Sequence, residues 1–540
     1  MASFIYKGIQ IILLCVIGRF FVGCGIAYPE KSVTDSFPTL PPSTKPFVYK
    51  IPESETPWAS YNSTNINGHV VGPTSVMESS VLRLEVRKTY GACIQIYDKV
   101  TNQQLINFKD MGRESGMSSY GGPRSFSNDA LRWREIGYNP LQAGDDGGNP
   151  SPILFHGFVD GWIYTKAQCL SWPHQNARRL PFFYEQWVRV EENKVHVKVR
   201  LSHQRDDKTF YGVEAQEWPM MMINGARKVH FYNGDTPYTY DQTTITDGVE
   251  SRQGANVTPH DRTPFGLTEP WQGVEIGSNR LIGLYTPGYY WGNYNVDAIA
   301  AGESWEGSNT ITYTANLPMI HLDSDNVWLK EYTYIIGTEQ EIRDYVYAKE
   351  RFDTPYFIFN TYSGRSGWSM IDGGYDQKEP FQTSDWKVTV TGKSEPTVAN
   401  GAMNARQFKL ASPFGNWKAS NFKEVYIQMA YTGPPGADPE VPLRLSWVLN
   451  RQAPETLNSD LTNQNGIRFP RGARDPFKQS VVFNVKNDGQ FHTYKVSFPN
   501  DQYWTGIIQR FEIAHTISPE YIPPGEVITL RYFGSRDIDK

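Results

Sequence analysis

"EQWVRVEENKVHVKVRLSH", Glu185–His203, alternates apolar and polar residues on both sides of a polar centre. Val195, Val197, Val199 and Leu201 share one parity, and His196, Lys198 and Arg200 share the other. A period of two is the strand period, because successive side chains leave a strand on opposite faces. The polar Glu191–Lys194 segment supplies the turn. The stretch therefore predicts an antiparallel hairpin with one face buried.

The same period recurs outward from this hairpin. In "VLRLEVRK" (81–88), Leu82, Leu84 and Val86 oppose Arg83, Glu85 and Arg87. "ACIQIYDK" (92–99) repeats the pattern with Ile94 and Ile96, and "VWLKEYTYII" (327–336) predicts another strand. "RKVHFYNGDTPYTY" (227–240) ends a strand at Asn233-Gly234, a strong turn dipeptide. One helix stands out. Thr338 and Glu341 are spaced as a capping box, and Ile342, Tyr345, Val346 and Lys349 follow at helical spacing. Pro355 ends it, which predicts a helix over 338–350. Beyond it, "WKVTVTG", "VYIQMAY", "LRLSWVLN", "SVVFNV", "FHTYKVSFP", "IIQRFEIAH" and "VITLRYFG" are seven further strand candidates. Leu443, Leu445, Trp447 and Leu449 mark a core-facing one. Short alternating strands without long helical periods predict an all-β chain. The expected architecture is a large N-terminal antiparallel β-sandwich over 48–337 and a helical linker over 338–354. A smaller jelly-roll β-sandwich over 355–540 completes it.

Bulk properties narrow the partners. Lys and Arg (52) nearly balance Asp and Glu (57) in 540 residues, a net charge of −5. Nucleic-acid binding needs a basic excess or stripe, so that class is excluded. Aromatic residues make up 14% of the chain, with 15 Trp and 32 Tyr. They favour strands, and they also form flat platforms for sugar rings.

At the N-terminus, Ile9–Ala27 is apolar but interrupted by Arg19. That is too short and broken for a membrane span, which wants about 20 apolar residues. Gly25 and Ala27 fit a small-x-small cleavage site. Residues 1–27 read as a secretory signal and 28–47 as a Pro/Ser/Thr-rich tether, so the expected location is extracellular, with no membrane attachment after cleavage. Cys93 and Cys169 remain after that cleavage. In an oxidising compartment they suit a disulfide; two buried free thiols are the other reading. Asn62 and Asn256 open glycosylation sequons, which would make the chain a glycoprotein.

The closing strands resemble those of secreted jelly-roll carbohydrate-binding modules. "FHTYKVSF" (491–498) leads to "WTGIIQRFEI" (504–513), then a proline-glycine turn and a last strand ending "LRYF" (530–533). The resemblance covers roughly 355–540. The portion over 48–337 is similar to large β-sandwich domains of secreted carbohydrate-active proteins. Together these imply a polysaccharide or glycan as partner, and they carry no catalytic residue over.

Candidate chemistry gathers in two regions. The first, Asp110–His156, is rich in Gly and polar residues and contains Arg113, Glu114, Tyr120, Asp145, Asp146 and His156. The second, "VEAQEWPM" (213–220), contains Glu217 beside Trp218. Glycoside hydrolysis needs two carboxyl groups flanking the bond, about 5–5.5 Å apart for retention or 6.5–9.5 Å for inversion. Asp145 facing Glu114 or Glu217 would meet that need. A polysaccharide lyase would instead use Tyr120 or His156 as base and Arg113 to neutralise a uronate. "PGYYWGNYN" (287–295) offers Tyr289, Tyr290 and Trp291 for stacking on sugars, and Trp218 of the second region is a further substrate-binding candidate. No cofactor is required. Calcium is the metal that "GDDGGN" (144–149) and "DSDN" (323–326) would suit, although neither has EF-hand spacing and each is an ordinary turn composition. The function expected is a secreted carbohydrate-active protein, a hydrolase or lyase with an accessory sugar-binding domain. The alternative is a non-catalytic extracellular matrix or carbohydrate-binding protein. The enzymatic reading predicts that Asp110–His156 meets Glu214–Trp218.

Overall fold

The hairpin at Glu185–His203 forms as its pattern dictates. Its strands are Arg179–Glu191 and Lys194–His203, and every second residue of the latter is buried. Only Glu192 and Asn193 make the turn, with Glu192 in the left-handed region at φ 49°. In the computed structural model the described residues are 74–108, 114–121, 138–174, 176–203, 214–225, 227–246, 263–298, 310–320, 322, 326–351, 353–359, 368–371, 385–389, 398–399, 402–403, 409–450, 478–516 and 525–539. The stretches read from sequence as a secretory signal and a tether lie outside them.

The first half of the chain supplies strands β1 (Thr74–Glu78), β2 (Leu82–Arg87), β3 (Cys93–Asp98), β4 (Gln103–Gln104), β5 (Gly116–Ser118), β6 (Pro140–Leu141), β7 (Ile153–Val159), β8 (Trp162–Ser171), β9 (Arg179–Glu191) and β10 (Lys194–His203). There follow β11 (Glu214–Ala215), β12 (Glu217–Asn224), β13 (Val229–Phe231), β14 (Thr244–Ile245), β15 (Thr263–Gly266), β16 (Trp271–Gly277), β17 (Arg280–Tyr285), β18 (Trp291–Ala298), β19 (Thr310–Asn316), β20 (Met319–Ile320) and β21 (Asn326–Gly337). Strands β1 to β4 make a small meander. A far larger antiparallel sheet runs β14-β13-β16-β17-β21-β10-β9-β8-β6-β5-β12-β19-β18-β15, with β7 on the flank of β8. Trp218 on β12 meets Trp328 on β21 at 5.5 Å between rings, although six strand steps separate them in the sheet. At about 4.8 Å per step a flat sheet would hold them nearly 30 Å apart. The sheet therefore curls over and packs on itself, which is how the sandwich closes.

The α-helix, α1 (Glu339–Tyr347), begins at the capping box read from sequence: Glu341 N–H donates to Thr338 Oγ1 at 3.2 Å, and Thr338 N–H donates to Glu341 Oε2 at 2.7 Å. Its Ile342 lies against Gly283 of β17, where a Cβ would come within 2.8 Å of Ile342 Cδ1. Glycine there lets the helix lie close on the sheet.

After the helix, a two-sheet antiparallel sandwich encloses its own core. One sheet contains β22 (Tyr356–Ile358), β24 (Trp386–Thr389), β29 (Glu424–Thr432), β32 (His492–Ser497) and β34 (Val527–Gly534). The other contains β23 (Ser369–Ile371), β27 (Lys409–Ala411), β28 (Trp417–Lys418), β30 (Glu440–Leu449), β31 (Ser480–Lys486) and β33 (Ile507–His515). A separate pair, β25 (Val398–Ala399) and β26 (Ala402–Met403), stands apart. The chain is all-β, as the periodicity predicts. Both sandwiches lie in one compact unit, 44–540. They meet through Trp291 stacked on Phe414 at 4.9 Å, Gln509 Nε2 donating to Leu267 O at 2.9 Å and Asn450 Nδ2 donating to Asn233 O at 2.7 Å.

The disulfide expected between Cys93 and Cys169 is not formed. Both are free thiols buried in the apolar core, where burial raises each well above the usual thiol range. A free cysteine packs there as a small hydrophobe.

Glu526, just before β34, is almost fully buried, and burial lifts its carboxyl to about 7. Between the unfolded value near 4.5 and that point, the folded state holds a proton that the unfolded state has lost. The associated stability is present below about 4.5 and is lost as pH rises through 7. Glu526→Gln should therefore raise the melting temperature more at pH 8 than at pH 4.5; an equal shift at both would contradict this.

Candidate functional site

The two sequence regions meet. β5 pairs with β12, Glu217 opposite Ser118, and β6 adjoins β5 and β8. The chain just after β5 thus passes beside the start of β12. Tyr120 Oη donates to Glu217 Oε2 at 3.0 Å, and Tyr313 Oη, from β19, donates to Glu217 Oε1 at 2.6 Å. Glu217 is 2% exposed and Tyr120 is half-buried. Gln216 Oε1 accepts the Tyr120 N–H at 2.7 Å, and Trp218 Nε1 donates to Ser119 Oγ at 2.9 Å. The result is a buried carboxylate with a phenol on each oxygen, one of them from a half-buried residue. Such a pair can pass a proton between a bound group and the carboxylate.

The remaining candidates fall elsewhere. Asp145 organises its own loop: Oδ1 accepts the N–H groups of Gly147 and Asn149, both at 3.0 Å, and Oδ2 accepts the Ala177 N–H at 2.8 Å. Burial raises its carboxyl, and the Asn149 side-chain amide leads the hydrogen bonds opposing that rise. Its oxygens hold the turn. Glu114 is fully buried near Cys93, where its charge adds to the burial that raises the thiol. His156 bonds Ser75 and Thr165 instead of joining this cluster. Arg113, Asn62 and Asn256 lie outside the described residues. Among those residues no group of three or more His, Cys, Asp or Glu could hold a metal ion.

The aromatic loop divides. Trp291 and Trp218 are core residues, 2% and 0% exposed, and are not available for stacking on a sugar. Tyr289 carries the Lys330 ammonium 4.8 Å above its ring. Tyr290 lines an open space, a cleft of about 340 Å³ walled by the first sandwich, the C-terminal end of α1 and the second sandwich. Tyr238, Tyr285, Tyr290, Tyr356 and Trp417 give it an aromatic lining. The Tyr290 hydroxyl hydrogen-bonds Tyr238, and burial first, then Tyr238, holds its phenol well above the usual range. The Arg351 guanidinium lies 4.1 Å from the centre of the Tyr238 ring and pairs with Asp353 at 3.4 Å. Lys349 and Glu350 are exposed on the rim. Flat rings with a few polar groups at the edge suit a ligand that has apolar C–H faces and hydroxyl edges. The volume is at the lower end of the range for small-molecule sites, about 300–1,000 Å³.

Sequence reasoning missed Tyr313, Tyr238, Tyr356 and Trp417. Tyr313 sits in a plain alternating strand. The other three come from separate segments, Tyr238 in the first sandwich and Tyr356 and Trp417 in the second, that only the docking of the two sandwiches brings together.

No protein-family model matches the chain, and no curated relative matches it. Among solved structures, a galactose mutarotase-like protein from Lactobacillus casei is similar over 49% of this chain and 100% of its own, at 11% identity and a TM-score of 0.31. A galactose mutarotase related enzyme from Lactobacillus acidophilus is similar over 49% of this chain and 99% of its own, at 10% and 0.30. The galactosidase domain of an alpha-galactosidase–sucrose kinase is similar over 49% of this chain and 40% of its own, at 10% and 0.27. At these scores the likeness carries no argument about what this chain does.

Proposed function

We propose that this chain is a secreted carbohydrate-active protein that holds a glycan in the aromatic cleft between its two sandwiches. The observation that supports the reading is the cleft itself, where half-buried Tyr290 and Tyr238 face a 340 Å³ space with charged side chains on its rim. Secretion rests on the apolar leader with its small-residue end. Among the described residues lining the cleft, Glu350 is the one carboxylate. Hydrolysis by two flanking carboxyl groups is therefore not the role assigned to it, and the cleft is a binding site. Calorimetry of the purified chain against a polysaccharide and oligosaccharide panel tests this. At least one glycan should bind, and Tyr290→Ala should weaken it about tenfold or more, the loss of roughly 1.4 kcal/mol of stacking. Unchanged affinity in the variant, or no binding across the panel, would remove the reading.

A catalytic reading is favoured by the Tyr120–Glu217 pair. The half-buried phenol would act as proton donor or acceptor toward a sugar bound beside β5 and β12, with Glu217 setting its protonation. Reducing-end and ultraviolet-absorbance assays on the same panel distinguish a hydrolase from a lyase. Tyr120→Phe would abolish turnover in either case.

A further inference from the structure

Three side chains line up across β1, β7 and β8 of the first sandwich, outside both sites described. Ser75 on β1 places Oγ 2.5 Å from His156 Nε2 on β7. His156 Nδ1 lies 2.8 Å from Thr165 Oγ1 on β8. His156 and Thr165 are directly opposed in the β7–β8 ladder, and Thr165 is fully buried, so the ring is held from behind by the sheet. Ser75 and His156 are each partly exposed.

The protonation state fits the geometry. Burial, with the charge of Lys88 second, lowers the His156 imidazole to about 4. At neutral pH the ring is therefore uncharged, with one N–H and one bare nitrogen. With Nδ1–H donating to Thr165, the bare Nε2 accepts the Ser75 O–H. That is the tautomer a general base needs in order to take a hydroxyl proton.

The surroundings supply the other parts of an acyl site. Phe158, two residues from His156 on the same face of β7, is 61% exposed, and Phe155 is 40% exposed. β1 is the outer strand of its meander and β7 flanks the large sheet. Edge strands leave alternate backbone N–H groups outside the ladder, and these are donors for a developing oxyanion.

We propose that Ser75, His156 and Thr165 act as nucleophile, base and orienting group toward a short-chain O-acyl ester, whose acyl group rests on the Phe158 side. Ser75 Oγ attacks the carbonyl carbon while its proton passes to Nε2. The carbon–oxygen bond to the alcohol breaks, and the departing oxygen takes that proton, leaving acyl-Ser75. Water then repeats the route, releases the carboxylic acid and restores the serine. Thr165 is neutral where a carboxylate would stabilise the imidazolium, so turnover is slow.

The test uses the full chain with a fluorophosphonate probe and with p-nitrophenyl acetate. The native protein should gain one phosphonate adduct on the peptide containing Ser75. His156→Gln should slow labelling about 10²-fold or more, the usual contribution of a general base. Thr165→Ser should retain labelling that Thr165→Val loses. The wild-type rate should stay level from pH 8 down through about 6.5, where an ordinary histidine would already be half protonated. An unlabelled Ser75 in the folded protein, equal labelling after denaturation, or a His156→Gln rate equal to wild type would each overturn the proposal.

Discussion

Arg343→Met should lower the unfolding free energy by about 3–5 kcal/mol, the usual cost of removing one partner from a buried ion pair. Arg343 on α1 is 3% exposed and Glu269 is 0% exposed. The guanidinium donates to Glu269 Oε1 at 3.2 Å, to Tyr347 Oη at 2.8 Å and to Asp241 O at 2.6 Å. Glu269 also accepts from Tyr347 Oη at 2.6 Å, Trp271 Nε1 at 2.7 Å and the Tyr238 N–H at 2.8 Å. With the arginine gone, the carboxylate keeps its neutral donors and loses its ion-pair partner. Glu269→Gln in the same chain should restore part of the loss, because it removes the stranded charge. Urea unfolding of the single and double variants measures both terms. A single-variant cost below about 1 kcal/mol, the range of exposed pairs, would show that the pair is not the clamp that seats the helix.

Glu217→Ala is the second large expectation, about 2–4 kcal/mol of destabilisation. It removes the acceptor that the Tyr313 and Tyr120 hydroxyls share, and a buried hydrogen bond lost in this way costs about 1–3 kcal/mol. Glu217→Gln keeps a carbonyl acceptor in place and should cost about 1 kcal/mol. The two variants separate structure from chemistry. If the pair moves protons, Glu217→Gln loses turnover on the responsive glycan while its melting temperature stays close to wild type. If both variants unfold alike and neither changes turnover, Glu217 is a core acceptor only.

How much of this was legible in the sequence depends on the range of the interaction. Alternation is local, so the Glu185–His203 hairpin, β21 and all seven strands proposed after the helix could be read directly. The capping box depends on two residues three apart, and it was equally plain. Strands of two or three residues, such as β22, β23 and β27, have too few alternations to register. The closure of the large sheet on itself was invisible, since it depends on Trp218 meeting Trp328 across six strand steps. The same limit governed the site. Tyr120 and Glu217 stood out as polar residues near glycines and tryptophan, and pairing of β5 with β12 joins them. Asp145 stood out for the same reason, yet its oxygens serve the turn that its own glycines and asparagine create. Trp291 looked like an exposed platform because its neighbours lack alternation; Phe414, from the other sandwich, covers it. Composition suggests what a residue could do, and only the packing partner decides which of those roles it fills.

Hydrogen–deuterium exchange with the best-binding glycan tests the central claim most directly. A ligand seated between the sandwiches should slow exchange in 286–290, 349–357 and 413–417 together, because residues from each of them line one cleft. Protection confined to 114–121 and 214–218, with the three cleft segments unchanged, would contradict it.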